Sequence, residues 1–119
     1  MDKQRRKELQ EEYKKMKTYL GVIKLTNTVN RMIFLDGFSN LKNRQFAIEQ
    51  QLRLGSHPNA RLQKDFKEYG KEAFAYEVLE EIATDKVSDV KWEVKQMLKK
   101  WLNTLEPYGE KGYNKPPRD

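Results

Sequence analysis

Cysteine is absent from these 119 residues. That excludes a disulfide scaffold, a thiolate metal site and a cysteine nucleophile, and it fits a reducing compartment. There is one histidine, His57, so imidazole metal clusters and paired-histidine acid–base sites are excluded too. The six glycines are scattered, and none forms the glycine-rich loop that wraps a phosphate chain. No apolar run approaches the ~20 residues of a membrane span. The opening Met1-Asp2-Lys3-Gln4-Arg5-Arg6 leads into more charge, without the apolar stretch of a secretory signal. The expectation is a soluble, cytoplasmic protein with no membrane partner.

The length is that of about one domain. Only 37% of the residues are apolar while 35% are charged, so the core has to be built from large side chains. Six Tyr, five Phe and two Trp supply them. The net charge is +6, and its distribution is uneven. Residues 1–17 carry seven basic and four acidic side chains, residues 40–72 again seven and four, and residues 73–119 eight and nine. The basic excess thus lies in the first two-thirds of the chain. Phosphate neutralisation drives nucleic-acid affinity, so a polyanion partner is one reading; a solvated basic surface is the other.

Residues 3–17 read as a charged helix with a thin apolar stripe of Leu9, Tyr13 and Met16, and with Glu11 and Lys15 as an i,i+4 pair. Thr18 to Leu25 is β-branched and aromatic and predicts a strand. Asn27 to Arg31 is a turn, with asparagines where left-handed backbone is tolerated, and Met32 to Phe38 is the antiparallel partner strand. Ser39 or Asn40 is expected to cap a helix that runs to Leu54 and stops at Gly55. In that helix Leu41, Arg44, Ile48 and Leu52 share one face, an arginine among apolar residues. Asn59 caps a second helix to Tyr69, with Leu62, Phe66 and Tyr69 inward. Phe74 to Leu79 alternates as a third, half-buried strand. A long helix then starts between Thr84 and Ser88, carries a stripe of Val87, Val90, Val94, Leu98, Trp101 and Leu105, and ends at Pro107. Trp92 and Trp101 read as core or boundary residues, and the turn-rich tail from Tyr108 wraps back over the domain. The expected class is α/β (α+β): a small three-stranded antiparallel sheet flanked by helices over 18–119, preceded by the charged helix of 1–17.

The order of short motifs is more telling than any one of them. A Gly21-Val22-Ile23 strand is followed by an Asn27-to-Asn30 turn and a strand ending Ile33-Phe34-Leu35-Asp36. Asn40-Leu41-Lys42-Asn43-Arg44, Gly55-Ser56-His57-Pro58-Asn59, Tyr69-Gly70-Lys71-Glu72-Ala73-Phe74, Trp101-Leu102 and Gly112-Tyr113-Asn114 come next. This series resembles the GIY-YIG nuclease family from about Tyr19 to Asn114. Read alone, residues 40–69 have the outline of a helix-turn-helix regulator, but the flanking strands argue against that as the fold.

The resemblance implies where a single-metal phosphodiesterase site would fall. The two signature tyrosine positions hold Ile23 and Phe34, and the glycine of the second signature is Asp36. The arginine is kept as Arg44, whereas the histidine one turn later is Ile48. The metal-holding glutamate position is Leu98. His57 and Asn114 are kept. A hard divalent cation needs oxygen ligands, and Ile23, Phe34 and Ile48 can neither donate nor accept a proton, so general acid–base help is forfeited. All four replacements are large and apolar and are expected to converge on one patch as core. No catalytic residue, metal or cofactor is therefore expected.

Arg44 is read as binding phosphate or pairing with a carboxylate; His57 as a loop-packing residue or a site residue; Asn114 as a turn residue tying down the tail or a site residue. Three functions follow. The first is a silent nuclease-like domain that binds double-stranded DNA through Lys42, Arg44, Arg53, His57, Arg61 and Lys64 as a regulator or accessory factor. The second is a protein-interaction module. The third is a residual metal-dependent nuclease using Asp36 and Arg44. A bacterial or phage-like origin is implied by the resemblance alone.

Overall fold

The structure is a computed structural model that describes residues 17–116. The helix expected over 3–17, with its stripe and its Glu11–Lys15 pair, lies outside the described residues except for Lys17. Three antiparallel strands, β1 (Tyr19–Asn27), β2 (Ile33–Phe38) and β3 (Phe74–Ala83), form a sheet in the order β2-β1-β3. Central β1 is apolar on both faces because both are covered. Helices α1 (Arg44–Leu54) and α2 (Ala60–Tyr69) cover the face that carries Ile23, Leu25 and Phe34. Helix α3 (Val90–Leu105) covers the face that carries Leu20 and Val22.

The β1–β2 turn is made differently from the expectation. Its left-handed residue is Arg31, at φ 66°. The asparagines act through their side chains instead: Asn27 Oδ1 accepts from Val29 N at 3.0 Å and Asn30 Oδ1 from Met32 N at 2.9 Å. Helix α1 also starts later than a Ser39 or Asn40 cap would place it. Asn40 Oδ1 takes the Lys42 N–H at 3.0 Å, a local turn that competes with helix, and Asn43 then enters α1 with φ 60°. Gly55 closes α1 at φ 77°, and Asn59 caps α2 by accepting from Leu62 N at 3.0 Å, both as expected. Tyr69 is exposed rather than inward.

Strand β3 runs to Ala83, beyond the expected end at Leu79. The register steps from Ile23↔Val78 to Val22↔Glu80, so Leu79 is an extra residue in a bulge. The bulge sends Glu80 toward α3, where its carboxylate accepts from Trp101 Nε1 at 2.9 Å and pairs with Lys100. Helix α3 begins only at Val90, because Thr84–Lys86 forms a short 3-10 turn and Asp89 Oδ1 supplies the cap to Trp92 N. Trp92 itself is 55% exposed, so it belongs to the surface and not to the core or its boundary.

The tail returns along β2. Gly112 bridges Ile33 in parallel, with Ile33 N donating to Lys111 O and Tyr113 N to Ile33 O at 2.9 Å. Only glycine fits at 112, since a Cβ there would sit 2.5 Å from both Ile33 O and Pro107 O. Among the described residues no helix is long and apolar enough to cross a membrane.

Candidate functional site

On the α1–α2 face, alternation along the strands puts Ile23 of β1 beside Phe34 and Asp36 of β2. Ile48 of α1 comes down onto them, and Ile23, Phe34 and Ile48 join one buried cluster with Leu25, Leu52, Leu62, Phe66 and Tyr113. Ile23 is fully buried. At the rim of this cluster a cleft of about 290 Å³ opens, lined by Asp36, Phe38, Arg44, Ile48, Gln51 and His57 among others.

Each polar group of the cleft is held by its surroundings. Arg44 donates from Nε to Asn40 O at 2.9 Å, and its guanidinium lies 4.5 Å from the Phe38 ring centre, a cation–π contact. It forms no ion pair among the described residues. Its charge still acts on Asp36. Burial pushes the Asp36 carboxyl above the usual aspartate range, while the Gly37 N–H, donating to Oδ1 at 2.8 Å, and the Arg44 charge pull it back. His57 is buried against the edge of the Phe34 ring, with centroids 5.4 Å apart. Its Nδ1 accepts from Asn59 N at 3.0 Å, so the ring proton belongs on Nε2, and burial lowers its pKa below the ordinary histidine value. Gln63 fixes the loop that carries His57, accepting from His57 N and donating to Leu52 O at 2.6 Å.

No protein-family model matches the chain, and no curated protein matches it. Two solved structures do. One is the catalytic domain of the intron endonuclease I-TevI in a glutamate-to-alanine mutant: 25% identity, 83% of this chain and 93% of that chain covered, TM-score 0.67. The other is the catalytic domain of the homing endonuclease I-TevI: 22% identity, 82% and 99% covered, TM-score 0.68. This is a GIY-YIG-like fold.

Within the GIY-YIG-like fold the four apolar residues that the resemblance sets at site positions do not all meet. Ile23, Phe34 and Ile48 pack together, but Leu98 lies on the opposite face of the sheet, against the cluster of Leu20, Val22 and Met97. A Cβ added at Gly37 of β2 would lie 3.5 Å from the Leu98 Cβ. The resemblance assigns the metal-holding glutamate to the Leu98 position, and a hard divalent cation needs oxygen donors. Leu98 supplies none, and among the described residues no three carboxylate or imidazole side chains are grouped to hold an ion. These residues do not fit the metal. Asn114 has a structural engagement: Oδ1 accepts from Leu35 N at 2.9 Å and Nδ2 donates to Leu35 O at 2.8 Å, so one amide stands in for a further strand at the β2 edge.

The basic residues are spread over the α1–α2 side. Lys42 and Arg44 line a second, larger cleft of about 860 Å³, and Arg53 lines a third of about 390 Å³. Arg53 donates to Gln50 Oε1 at 3.0 Å. Arg61 is committed to the tail, Nη2 donating to Gly109 O at 2.7 Å, and Lys64 is exposed on α2. Sequence reasoning missed Phe38, which positions Arg44, and Phe46 and Tyr76, which line the larger cleft. Phe46 had a signal: it falls off the Arg44–Ile48–Leu52 stripe of its helix.

Proposed function

We propose that this domain is a catalytically silent relative of GIY-YIG nucleases that binds DNA in a cytoplasmic accessory or regulatory role. The observation that carries the reading is the contrast within one small region. Ile23, Phe34 and Ile48, at the positions to which the resemblance assigns proton transfer, are closed into core, whereas the guanidinium of Arg44 stays at the open cleft, braced by Asn40 and Phe38. A braced guanidinium with free terminal nitrogens suits a phosphate oxygen. Lys42, Arg53 and Lys64 add charge on the same side, and the fold is shared with the catalytic domain of an intron endonuclease. Without a metal to polarise the phosphoryl group, several kcal/mol of transition-state stabilisation are forgone, so binding without cleavage is the outcome this chemistry supports. A protein-interaction role is the second reading, favoured by the exposed indole of Trp92 on the outer side of α3.

The test is anisotropy of a labelled duplex at low and near-physiological salt with Mg²⁺ present. Micromolar or tighter binding with a steep salt slope is expected, and Arg44→Ala should weaken it and lower the slope by about one phosphate contact. No binding at low salt would overturn the reading in favour of a protein partner. Mg²⁺-dependent nicking that Asp36→Ala abolishes would overturn the claim of silence.

A further inference from the structure

Phe46 is an apolar side chain that its own helix does not bury. On α1 it is two residues before Ile48, about 200° around the axis, so Ile48 points into the core and Phe46 away from it. It is 64% exposed. Its ring stands on the ridge between two clefts. The larger runs along the start of α1 and across β3 and is lined by Tyr76, Val78, Lys42 and Arg44. The smaller lies between α1 and α2 and is lined by Phe66, Arg53 and Lys71. Cations therefore lie on both sides of an exposed phenyl ring. Glu49 faces both clefts, but it is engaged, accepting from Gln45 Nε2 and pairing with Lys71 Nζ at 3.5 Å. Glu81 is the other carboxylate of the larger cleft. The cations flanking the ring include Lys17, Lys42 and Arg44 in the larger cleft, where Glu81 opposes them, and Arg53 in the smaller.

An aromatic face flanked by cations along a groove matches the chemistry of an unpaired nucleotide: the base stacks and its phosphates are neutralised on either side. A duplex hides its base faces in the helix stack and has no use for such a ring. We propose that Phe46 is a stacking platform for an unpaired base of single-stranded or locally opened DNA, whose backbone passes Lys42 and Arg44 on one side and Arg53 on the other. The proposal rests on the DNA-binding reading and names its substrate class.

The experiment compares the full chain with Phe46→Ala and Phe46→Trp. The probes are a single strand carrying 2-aminopurine and a duplex of the same sequence, both read at low salt. The single strand should bind more tightly than the duplex and its 2-aminopurine fluorescence should be quenched. Phe46→Ala should weaken single-strand binding about 5- to 100-fold and abolish the quenching while leaving duplex binding unchanged. Phe46→Trp should restore both. The exposed ring makes Phe46→Ala a safe variant, and an unchanged thermal midpoint verifies that it folds. Single-strand affinity and quenching that survive Phe46→Ala, with duplex binding intact, would overturn this inference and leave the DNA-binding reading standing. No binding of either probe would sink both. Sedimentation showing a dimer that Phe46→Ala dissolves would overturn it by giving the ring to a second copy of the chain.

Discussion

Removing one hydroxyl group, by Tyr113→Phe, tests whether the tail locks the site-bearing face in place. Tyr113 is buried, and its Oη donates to Asp65 Oδ2 at 2.7 Å while accepting from Asn27 Nδ2 at 3.1 Å. Burial, then the Asp65 carboxylate, raises its pKa, so the phenol remains a donor across the ordinary pH range. Asn27 is fully buried, and its Oδ1 is already taken by Val29 N. Without the hydroxyl the Asn27 amide nitrogen has no acceptor, and Asp65 loses its shortest hydrogen bond. A bond to a charged acceptor contributes about 1.5–3 kcal/mol and an unsatisfied buried donor costs about 1–3 kcal/mol. Partial relaxation makes the sum smaller than the parts, so we expect a loss of about 2–4 kcal/mol. That is a large share of the roughly 5–15 kcal/mol by which a domain is stable. Equilibrium urea unfolding followed by tryptophan fluorescence measures it, with an unchanged m-value as the sign that only stability moved. A double-mutant cycle with Asp65→Ala should show a coupling of at least about 0.5 kcal/mol. A loss below about 0.5 kcal/mol for Tyr113→Phe, or additivity with Asp65→Ala, would refute the argument.

Two further perturbations separate core from site. Leu98→Glu, which sets a carboxylate at the position the resemblance assigns to the metal-holding glutamate, should destabilise by about 1–3 kcal/mol by setting a charge against Leu20, Val22 and Met97; a variant as stable as the parent in urea would show that place to be open to solvent. His57 tests the pH dependence. Burial lowers its pKa in the fold, so the unfolded chain binds the proton more readily. The stability owed to neutral His57 is complete above the unfolded value of about 6.5 and is lost as pH falls through the lower folded value. The stability of the wild type minus that of His57→Gln should therefore shrink between pH 8 and pH 5. Asp36 has the opposite sign nearer its own range, and the subtraction removes it. A difference that is flat or grows toward acid would count against the burial argument.

Strand alternation, the Asn59 cap, Gly55 and the stripe of α3 all lie in local patterns, and they placed the sheet and its helices. What the pattern hid follows from tertiary effects. The expected third strand stopped at Leu79, because nothing local announces a bulge that turns the Glu80 carboxylate toward Trp101. Spacing along α3 put Leu98 on the buried stripe, but spacing within a helix does not say which face of a sheet it meets. Ile23, Phe34 and Ile48 could be grouped from the resemblance, whereas Leu98 could not be separated from them without the packing. Arg44 stood out among apolar neighbours; its brace, Phe38, did not, since a cation–π contact between a strand and a helix leaves no trace in sequence order.

The tail that runs beside β2 has a consequence for synthesis. Residues 107–114 leave the ribosome after every other element of this domain, yet Ile33, Leu35 and the loop at Asn59, whose Nδ2 donates to Tyr113 O, all depend on them. Until Tyr113 emerges, β2 is an unpaired edge with its backbone groups open to any neighbouring strand. The nascent domain thus passes through a sticky interval just before completion, and the closing residues act as both latch and cover.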